Sequence, residues 1–155
     1  MKPSITAIIP AYNESGNIEN TARSILKAMN SLGYEQFEIL IFDDNSTDDT
    51  GKIADDLALE NNHIKVIHNK PNKGFGYNYQ KGIELARYDY VVMFPGDNVI
   101  TETSVRDLLS KAGEANIIIS YVANTELRTF TRRTISRAFT ILVNFLFGLN
   151  VTYYN

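Results

Sequence analysis

The sequence contains no cysteine among its 155 residues. Disulfide bonds, thiolate-bound metal sites and a cysteine nucleophile are therefore excluded. Histidine is scarce as well, since His63 and His68 are the only 2 in the chain. Neither stands at a spacing that suggests a metal cluster or a partner for a serine nucleophile, so we interpret both as structural residues.

Strong charge and long apolar runs are also missing. The formal net charge is -3, which disfavours general binding to nucleic acid. The most apolar stretch, residues 138–149, is shorter than the roughly 20 residues that a membrane-spanning helix needs. The N-terminus has no signal-peptide pattern, so a cytoplasmic location is the default expectation. A content of 44% hydrophobic and 21% charged residues predicts one globular domain over residues 1–155.

Two common nucleotide-binding motifs are absent. A Gly-x-Gly-x-x-Gly turn does not follow the first apolar run, where residues 10–14 stand instead, and this disfavours a nicotinamide or flavin cofactor. The segment Gly74-Phe75-Gly76 lacks the third glycine and follows the third apolar run. No Gly-x-x-x-x-Gly-Lys-Ser/Thr occurs, which excludes a P-loop.

The chain does contain an alternation of apolar runs and amphipathic helices. Runs typical of buried strands occur at residues 6–10, 37–42, 64–67, 90–94 and 116–122. Helical spacing occurs at residues 17–32, at 51–60, from Tyr79, around Val105 and from Ile135 to Phe147. This alternation predicts an α/β fold with a mostly parallel sheet flanked by helices.

Polar residues follow three of the predicted strands. They are Tyr12, Asn13 and Glu14 after the first strand, Asp43 and Asp44 after the second, and Asp97 and Asn98 after the fourth. Because ligands of open α/β sheets bind outside the carboxyl ends of the strands, we expect these groups to face one crevice. An acid after the second strand is well placed to accept hydrogen bonds from a ribose or a base. The alternative is that it caps the next helix.

Four of these segments also form a recognisable series. Residues 8–14 read IIPAYNE, residues 43–48 read DDNSTD, residues 72–74 read NKG, and residues 96–98 read GDN. In this order they resemble the family 2 glycosyltransferases with a GT-A (Rossmann-like) fold, and especially the dolichol- or polyprenol-phosphate mannose synthase branch. The resemblance covers essentially the whole chain. It implies inverting transfer of a sugar from a nucleotide-diphosphate-sugar donor to an acceptor, and a catalytic domain truncated at its C-terminus.

The resemblance implies roles at the matching positions. The donor nucleotide is expected to contact Pro10, Ala11, Tyr12, Glu14, Asp43, Asp44, Lys73 and Gly74. Asp97 stands in the place of the metal-binding Asp-x-Asp motif and is the expected catalytic residue, with Asn98 as a second ligand. Bound Mg²⁺ or Mn²⁺ would offset the charge that develops on the diphosphate leaving group. Pro95 replaces the first acid of the motif, so a non-catalytic module that binds nucleotide sugar is an alternative.

A cluster of arginines precedes the last apolar helix. Arg128, Arg132 and Arg133 could bind an acceptor phosphate, because arginine makes bidentate contacts to phosphate. Basic residues beside an apolar face also suit a helix that lies on a membrane surface. The resemblance therefore favours a polyprenol-phosphate acceptor and peripheral membrane association, and the apolar helix favours self-association. The alternative is a core helix with solvated arginines at its start.

A sugar nucleotidyltransferase is a further alternative, on a related sheet. Such an enzyme typically needs a glycine-rich loop that carries Arg or Lys directly after the first strand. Residues 10–14 contain no cationic residue. The identity of the product would separate the two enzyme classes, and sugar transfer would separate the glycosyltransferase from a binding module.

Overall fold

The computed structural model describes residues 2–118 and 130–148 of the chain. Strands and helices alternate within this part, as the hydrophobic pattern predicts. The elements are β1 (Ile5–Ala11), α1 (Ile18–Ser31), β2 (Phe37–Asp43), α2 (Thr50–Glu60), β3 (Ile64–His68), α3 (Phe75–Leu85), β4 (Tyr90–Met93), α4 (Glu102–Ser110) and α5 (Phe130–Phe147).

The strands form one parallel sheet in the order β3-β2-β1-β4. β1 pairs with β2 from Ile5 opposite Phe37 to Ala11 opposite Asp43, and it pairs with β4 along its other edge. The chain thus adds β2 and β3 on one side of β1 and β4 on the other side. In open α/β sheets the ligand crevice lies where the winding reverses in this way, outside the carboxyl ends of the strands.

Helices cover both faces of the sheet, which explains why every residue of β1 and β2 is buried. Alternate residues of a strand point to opposite faces. Ile5, Ala7 and Ile9 of β1 join the larger core cluster, to which α1, α2 and α4 also contribute. Ile8 joins a smaller cluster on the other face. Each fully buried isoleucine stabilises the fold by about 1.5–3 kcal/mol.

Helix α3 approaches the sheet very closely on the face of the smaller cluster. A Cβ atom added to Gly82 would lie 2.5 Å from Cδ1 of Ile8. Only glycine permits this distance, so Gly82 sets how near α3 lies to β1. The position of α3 matters for function because its first turn lies at the carboxyl edge of the sheet.

Two sequence predictions about element boundaries need correction. Helical spacing predicted α3 from Tyr79, but the helix begins one turn earlier, at Phe75. The first turn reads Phe-Gly-Tyr-Asn, in which glycine and asparagine hide the apolar pattern. The strand predicted at 116–122 is absent at 116–118, and the rest of it lies outside the described residues.

The chain divides into two compact units, residues 1–116 and residues 117–155. The first unit contains the whole sheet and helices α1 to α4. Helix α5 belongs to the second unit and exposes large apolar side chains, among them Ile135, Phe139 and Phe145. Within the described parts of the chain, no helix has both the length and the apolarity required to cross a membrane. A single domain over residues 1–155 stays a prediction.

Candidate functional site

A cleft of about 360 Å³ opens at the carboxyl edge of the sheet. It is lined by Pro10, Ala11, Tyr12, Glu14, Asp44, Phe75, Asn78, Pro95, Gly96 and Asp97. These residues end β1, follow β1, β2 or β4, or begin α3. The cleft therefore lies where the winding of the sheet reverses between β1 and β4. We call it the carboxyl-edge cleft.

Most of the residues predicted to bind the donor line this cleft. They are Pro10, Ala11, Tyr12, Glu14 and Asp44, together with the predicted metal ligand Asp97. Asp43, Lys73, Gly74 and Asn98 are not among the lining residues. Arg128 lies outside the described residues, and Arg132 and Arg133 are described only by their backbone positions in α5.

Hydrogen bonds between the loops after β1 and β2 hold one wall of the cleft. The Asn13 N–H donates to Ser46 Oγ at 3.0 Å, and Asn13 Oδ1 accepts from the Thr47 N–H at 2.8 Å. The Glu14 N–H donates to Oγ1 of the buried Thr50 at 2.7 Å. The turn that carries Glu14 is therefore positioned by the β2–α2 loop, whose residues are more than thirty positions away in the sequence.

Asp43, the last residue of β2, stabilises the loop that follows this strand through hydrogen bonds. Its Oδ1 accepts from the Ser46 N–H at 3.0 Å, and its Oδ2 lies 2.9 Å from Nδ1 of His68. Burial alone would raise the pKa of Asp43, but the bonds from Ser46 and His68 outweigh burial and keep it below its ordinary value. A Cβ on Gly51 would lie 2.7 Å from Asp43 Oδ2, so α2 needs glycine at this point. Asp43 thus stabilises the edge of the site rather than the cleft surface.

Asp44, the next residue, joins the cleft to the loop before α3. Its Oδ1 accepts from Asn69 Nδ2 at 2.8 Å and from the Lys73 N–H at 2.9 Å, and its Oδ2 accepts from the Gly74 N–H at 2.8 Å. Burial raises the pKa of this carboxyl, and the hydrogen bonds lower it further than burial raises it. Asp44 is therefore ionised at neutral pH. Gly74 adopts a φ of 84°, which glycine does without strain.

Gly96 and Asp97 form the opposite wall, after β4. The Gly96 N–H donates to the Pro10 carbonyl oxygen at 3.1 Å, and a Cβ on Gly96 would lie 3.1 Å from that same oxygen. The motif glycine is thus required for the close pairing of this loop with β1. Asp97 is exposed, and its Oδ1 accepts from the Val99 N–H at 3.2 Å.

The charged side chains that line the cleft are all acidic: Glu14, Asp44 and Asp97. Among the described residues, no group of three or more acidic, histidine or cysteine side chains could hold a metal ion alone. A divalent cation at Asp97 would therefore take most of its ligands from phosphate and water, an arrangement that Mg²⁺ commonly uses. The acidic lining fits such a cation, because a diphosphate would otherwise be repelled by the carboxylates.

Sequence reasoning missed Phe75 and Asn78, which both line the cleft. Each lies in the first turn of α3, ahead of the helix start that the pattern predicted. Gly74 is the N-cap of this helix. Glycine is one of the residues favoured at an N-cap, so Gly74 could have been used to predict the start of α3. A helix predicted to start directly after Gly74 would have placed Phe75 and Asn78 at the carboxyl edge of the sheet.

The family of the chain follows from comparison with known proteins. The family model described as Glycosyl transferase family 2 matches residues 6–154. The chain belongs to glycosyl transferase family 2. Glycosyltransferase GlyG of Streptococcus pneumoniae is 27% identical to it over 126 residues, which cover 80% of this chain and 40% of that protein.

Solved structures support the fold of this family 2 chain. TarS 1-349 of S. aureus, in complex with UDP-GlcNAc, matches with 26% identity and a TM-score of 0.56, covering 67% of this chain and 29% of that one. Mannosyltransferase PcManGT from Pyrobaculum calidifontis, in complex with GDP-Man and Mn²⁺, matches with 23% identity and a TM-score of 0.54, covering 63% and 28%. The predicted GT-A α/β fold is confirmed. The chain spans less than half the length of each of these proteins.

Proposed function

We propose that the chain binds a nucleotide-diphosphate sugar in the carboxyl-edge cleft and takes part in transfer of the sugar to an acceptor. The observation that carries this proposal is the cleft itself. Residues that follow β1, β2 and β4 converge on it, and they are the residues of the family motifs. A volume of about 360 Å³ suits a ligand of nucleotide size. TarS, 26% identical over the matched part, was solved with UDP-GlcNAc.

Under this proposal the two walls of the cleft have different tasks. Asp44, ionised and rigidly held, accepts hydrogen bonds from the nucleoside, while Tyr12 and Glu14 enclose it from the β1 side. Asp97, exposed on the opposite wall, lies toward the diphosphate. Asp43, Lys73 and Gly74 are positioning residues, because they hold Asp44 and its loops without lining the cleft.

The proposed reaction is a direct displacement with inversion at the anomeric carbon. An ionised acceptor oxygen, such as that of a lipid phosphate, attacks C1 of the sugar from the face opposite the diphosphate, so no proton has to be removed. The bond between C1 and the diphosphate oxygen breaks, and its electron pair leaves with the nucleoside diphosphate. Asp97 and Asn98 would hold Mg²⁺ or Mn²⁺, which would supply positive charge beside this leaving group. The anomeric configuration of the product, read by NMR, tests inversion.

The first test is calorimetric titration with nucleotide diphosphates and their sugar conjugates, with and without Mn²⁺, followed by an assay of sugar transfer. We expect one nucleotide to bind preferentially and Mn²⁺ to strengthen its binding. The variant Asp97→Asn should lose about 100-fold or more in turnover, because it removes the carboxylate that faces the leaving group. Its melting temperature should not change, since Asp97 is exposed and outside the core.

The matched control is Asp107→Asn, which changes an exposed aspartate on α4 away from the cleft. This control should keep full activity. Full turnover by Asp97→Asn would remove Asp97 from the mechanism. A folded sample that binds none of the nucleotides would contradict the donor site as a whole.

The alternative function is a module that binds nucleotide sugar without transferring the sugar. Pro95 favours it, because proline at the first acidic position of the motif leaves one carboxylate on that wall. Tight binding of a donor without transfer or hydrolysis would support this alternative. The variant Pro95→Asp should then strengthen Mn²⁺-dependent binding and produce measurable turnover.

We also propose a polyprenol-phosphate acceptor at a membrane surface, as in the mannose synthase branch. The support comes from the arginines of α5 and from its exposed apolar side chains, which include Ile135, Phe139 and Leu142. Such a helix suits a membrane surface or a second copy of the chain. An assay of sugar transfer to a polyprenyl phosphate tests the acceptor, and an Arg132→Ala/Arg133→Ala variant should lose this transfer. Vesicle flotation tests binding to a membrane surface, and sedimentation tests self-association.

A further inference from the structure

Thr21, near the start of α1, is a buried polar residue to which the proposed site gives no role. It is 6% exposed, and the other buried residues of α1 are apolar. Within a helix, a threonine hydroxyl can bond to the carbonyl one turn earlier. Thr21 Oγ1 instead donates to the carbonyl oxygen of Gly96 at 3.2 Å, which joins residues 75 positions apart. The bond therefore connects α1 to the cleft wall that carries Asp97.

The acceptor of this bond belongs to the peptide group between Gly96 and Asp97. Gly96 is buried, and its N–H donates to the Pro10 carbonyl oxygen at 3.1 Å. Gly96 is thus held on both sides, by β1 through its N–H and by α1 through its carbonyl. Because a peptide group is planar, the bond from Thr21 also fixes the direction in which the backbone of Asp97 continues.

The turn that follows fixes the Asp97 carboxylate relative to its own backbone. Asp97 Oδ1 accepts from the Val99 N–H at 3.2 Å, and Asn98 between them has a φ of 55°. Residues 97–99 are exposed, and the residue before them, Gly96, is buried. The position of the carboxylate over the cleft therefore depends on how the Gly96 peptide is oriented.

We propose that Thr21 is a positioning residue for the divalent cation, because its hydroxyl directs the Asp97 carboxylate toward the place where the diphosphate binds. The inference rests on the proposed function, in which Asp97 would hold Mg²⁺ or Mn²⁺. Groups that orient a metal ligand from behind typically contribute about 10- to 100-fold to metal affinity. The orientation of Asp97 matters all the more because Pro95 leaves one carboxylate on this wall.

The decisive variant is Thr21→Val, which replaces the hydroxyl by a methyl group of similar size. Calorimetry measures the affinity for whichever of UDP, GDP, CDP and ADP binds most tightly, with and without Mn²⁺. The affinity without Mn²⁺ should change by less than about twofold, whereas the strengthening by Mn²⁺ should fall by about tenfold. Thr21→Ser keeps the hydroxyl and should restore the effect of Mn²⁺. An unchanged effect of Mn²⁺ in Thr21→Val would overturn the inference.

Tyr34→Phe is the matched control, because it removes a second buried bond from a hydroxyl to a distant carbonyl. Tyr34 Oη donates to the Leu109 carbonyl oxygen at 2.7 Å, and neither residue lines the cleft. Both Tyr34→Phe and Thr21→Val should lower the melting temperature. Only Thr21→Val should reduce the effect of Mn²⁺, and an equal reduction in Tyr34→Phe would mean that general loosening of the fold is the cause.

A double variant tests whether Thr21 acts through Asp97. In the Asp97→Asn background, Thr21→Val should cause no further loss of the Mn²⁺ effect, since the carboxylate that it positions is already gone. A further loss of the same size as in the wild type would contradict this route. If Thr21→Val does not fold, Thr21→Ser and Thr21→Ala give the same comparison, because these two variants differ only in the hydroxyl.

The outcomes separate this inference from the proposed function. A folded wild-type chain that binds no nucleotide overturns both. Nucleotide binding that Mn²⁺ does not strengthen overturns the inference and leaves the nucleotide site standing. A Thr21→Val variant that melts at a lower temperature but keeps the full effect of Mn²⁺ shows that Thr21 is only structural.

Discussion

Three asparagines at the carboxyl edge of the sheet form sharp turns next to the acidic residues of the motifs. Asn13, Asn45 and Asn98 have φ values of 57°, 64° and 55°, and each follows a strand that contributes to the cleft. Asparagine is one of the few residues other than glycine that adopts this left-handed conformation readily. The asparagines in the motifs of the chain are therefore explained in part by the sharp turns that bring the neighbouring acids to the cleft.

His68 is the residue whose titration should be visible in the stability of the fold. Its Nδ1 lies 2.9 Å from Asp43 and its Nε2 lies 3.1 Å from Asp55. The bond with Asp43 raises the pKa of His68, burial lowers it by less, and Asp55 raises it further. The raised pKa means that the folded state binds the proton more tightly than the unfolded state, in which the pKa is about 6.5.

The resulting stability is fully present below about pH 6.5 and is lost as the pH rises through the raised pKa of His68. We expect the melting temperature to fall over this interval, in a series of thermal melts at constant ionic strength. His68→Gln should flatten the profile, and Asp55→Asn should reduce its slope without abolishing it. An unchanged profile in His68→Gln would show that another group is responsible.

At the scale of elements, the contact between α3 and β1 decides where the first turn of α3 lies. Gly82→Ala should destabilise the fold by about 1–3 kcal/mol, because the new methyl group would overlap Ile8. This loss opposes the gain of about 1 kcal/mol that alanine normally brings to a helix. Gly76→Ala, in the same helix with nothing within 4 Å of its added Cβ, is the matched control and should be neutral or stabilising. Urea denaturation measures both.

A double variant tests the cause of this effect. Ile8→Ala alone should cost stability by creating a cavity, and Gly82→Ala added to it should cost much less than it does in the wild type. If Gly82→Ala is as well tolerated as Gly76→Ala in the wild-type background, the approach of α3 to β1 is not limited by Ile8.

At the scale of the sheet and its surrounding helices, the buried Glu38 joins several elements from the face opposite the larger core. Its Oε1 accepts from Thr6 Oγ1 at 3.1 Å and from the Arg87 N–H at 2.9 Å. Its Oε2 pairs with Lys65 Nζ and Arg87 Nε, each at 3.0 Å. Burial alone would raise the pKa of Glu38, but these bonds keep it below its ordinary value. One carboxylate thus links β2 to β1, to β3 and to the segment before β4.

Glu38→Ala should lower the free energy of unfolding by about 1–3 kcal/mol, because it leaves the Thr6 hydroxyl and the Arg87 N–H without their acceptor. The loss is smaller than for a fully buried ion pair, since the side chains of Lys65 and Arg87 are 44% and 60% exposed and can reach water. Glu19→Ala removes an exposed carboxylate and should change stability by less than about 0.5 kcal/mol. Similar values for the two variants would contradict the central place of Glu38.

The hydrophobic pattern by itself determined the α/β class, the order of the elements from β1 to α4, and the edge at which the polar residues gather. These properties follow from side-chain periodicity, which is local, and from the rule that parallel strands end at the same edge. The family motifs in residues 8–14, 43–48, 72–74 and 96–98 were likewise legible in the sequence, and the family match over residues 6–154 agrees with them.

Only the tertiary structure decided which polar groups face the cleft. Asp43 and Asp44 are adjacent and chemically alike, yet Asp43 bonds to Ser46 and His68 whereas Asp44 lines the cleft. Asn78 lines the cleft, although helical spacing predicted that α3 begins only after it. The physical reason is that the role of a polar side chain depends on the donors and acceptors around it. For Asp44 these come from residues 25 to 30 positions away, which only folding brings together.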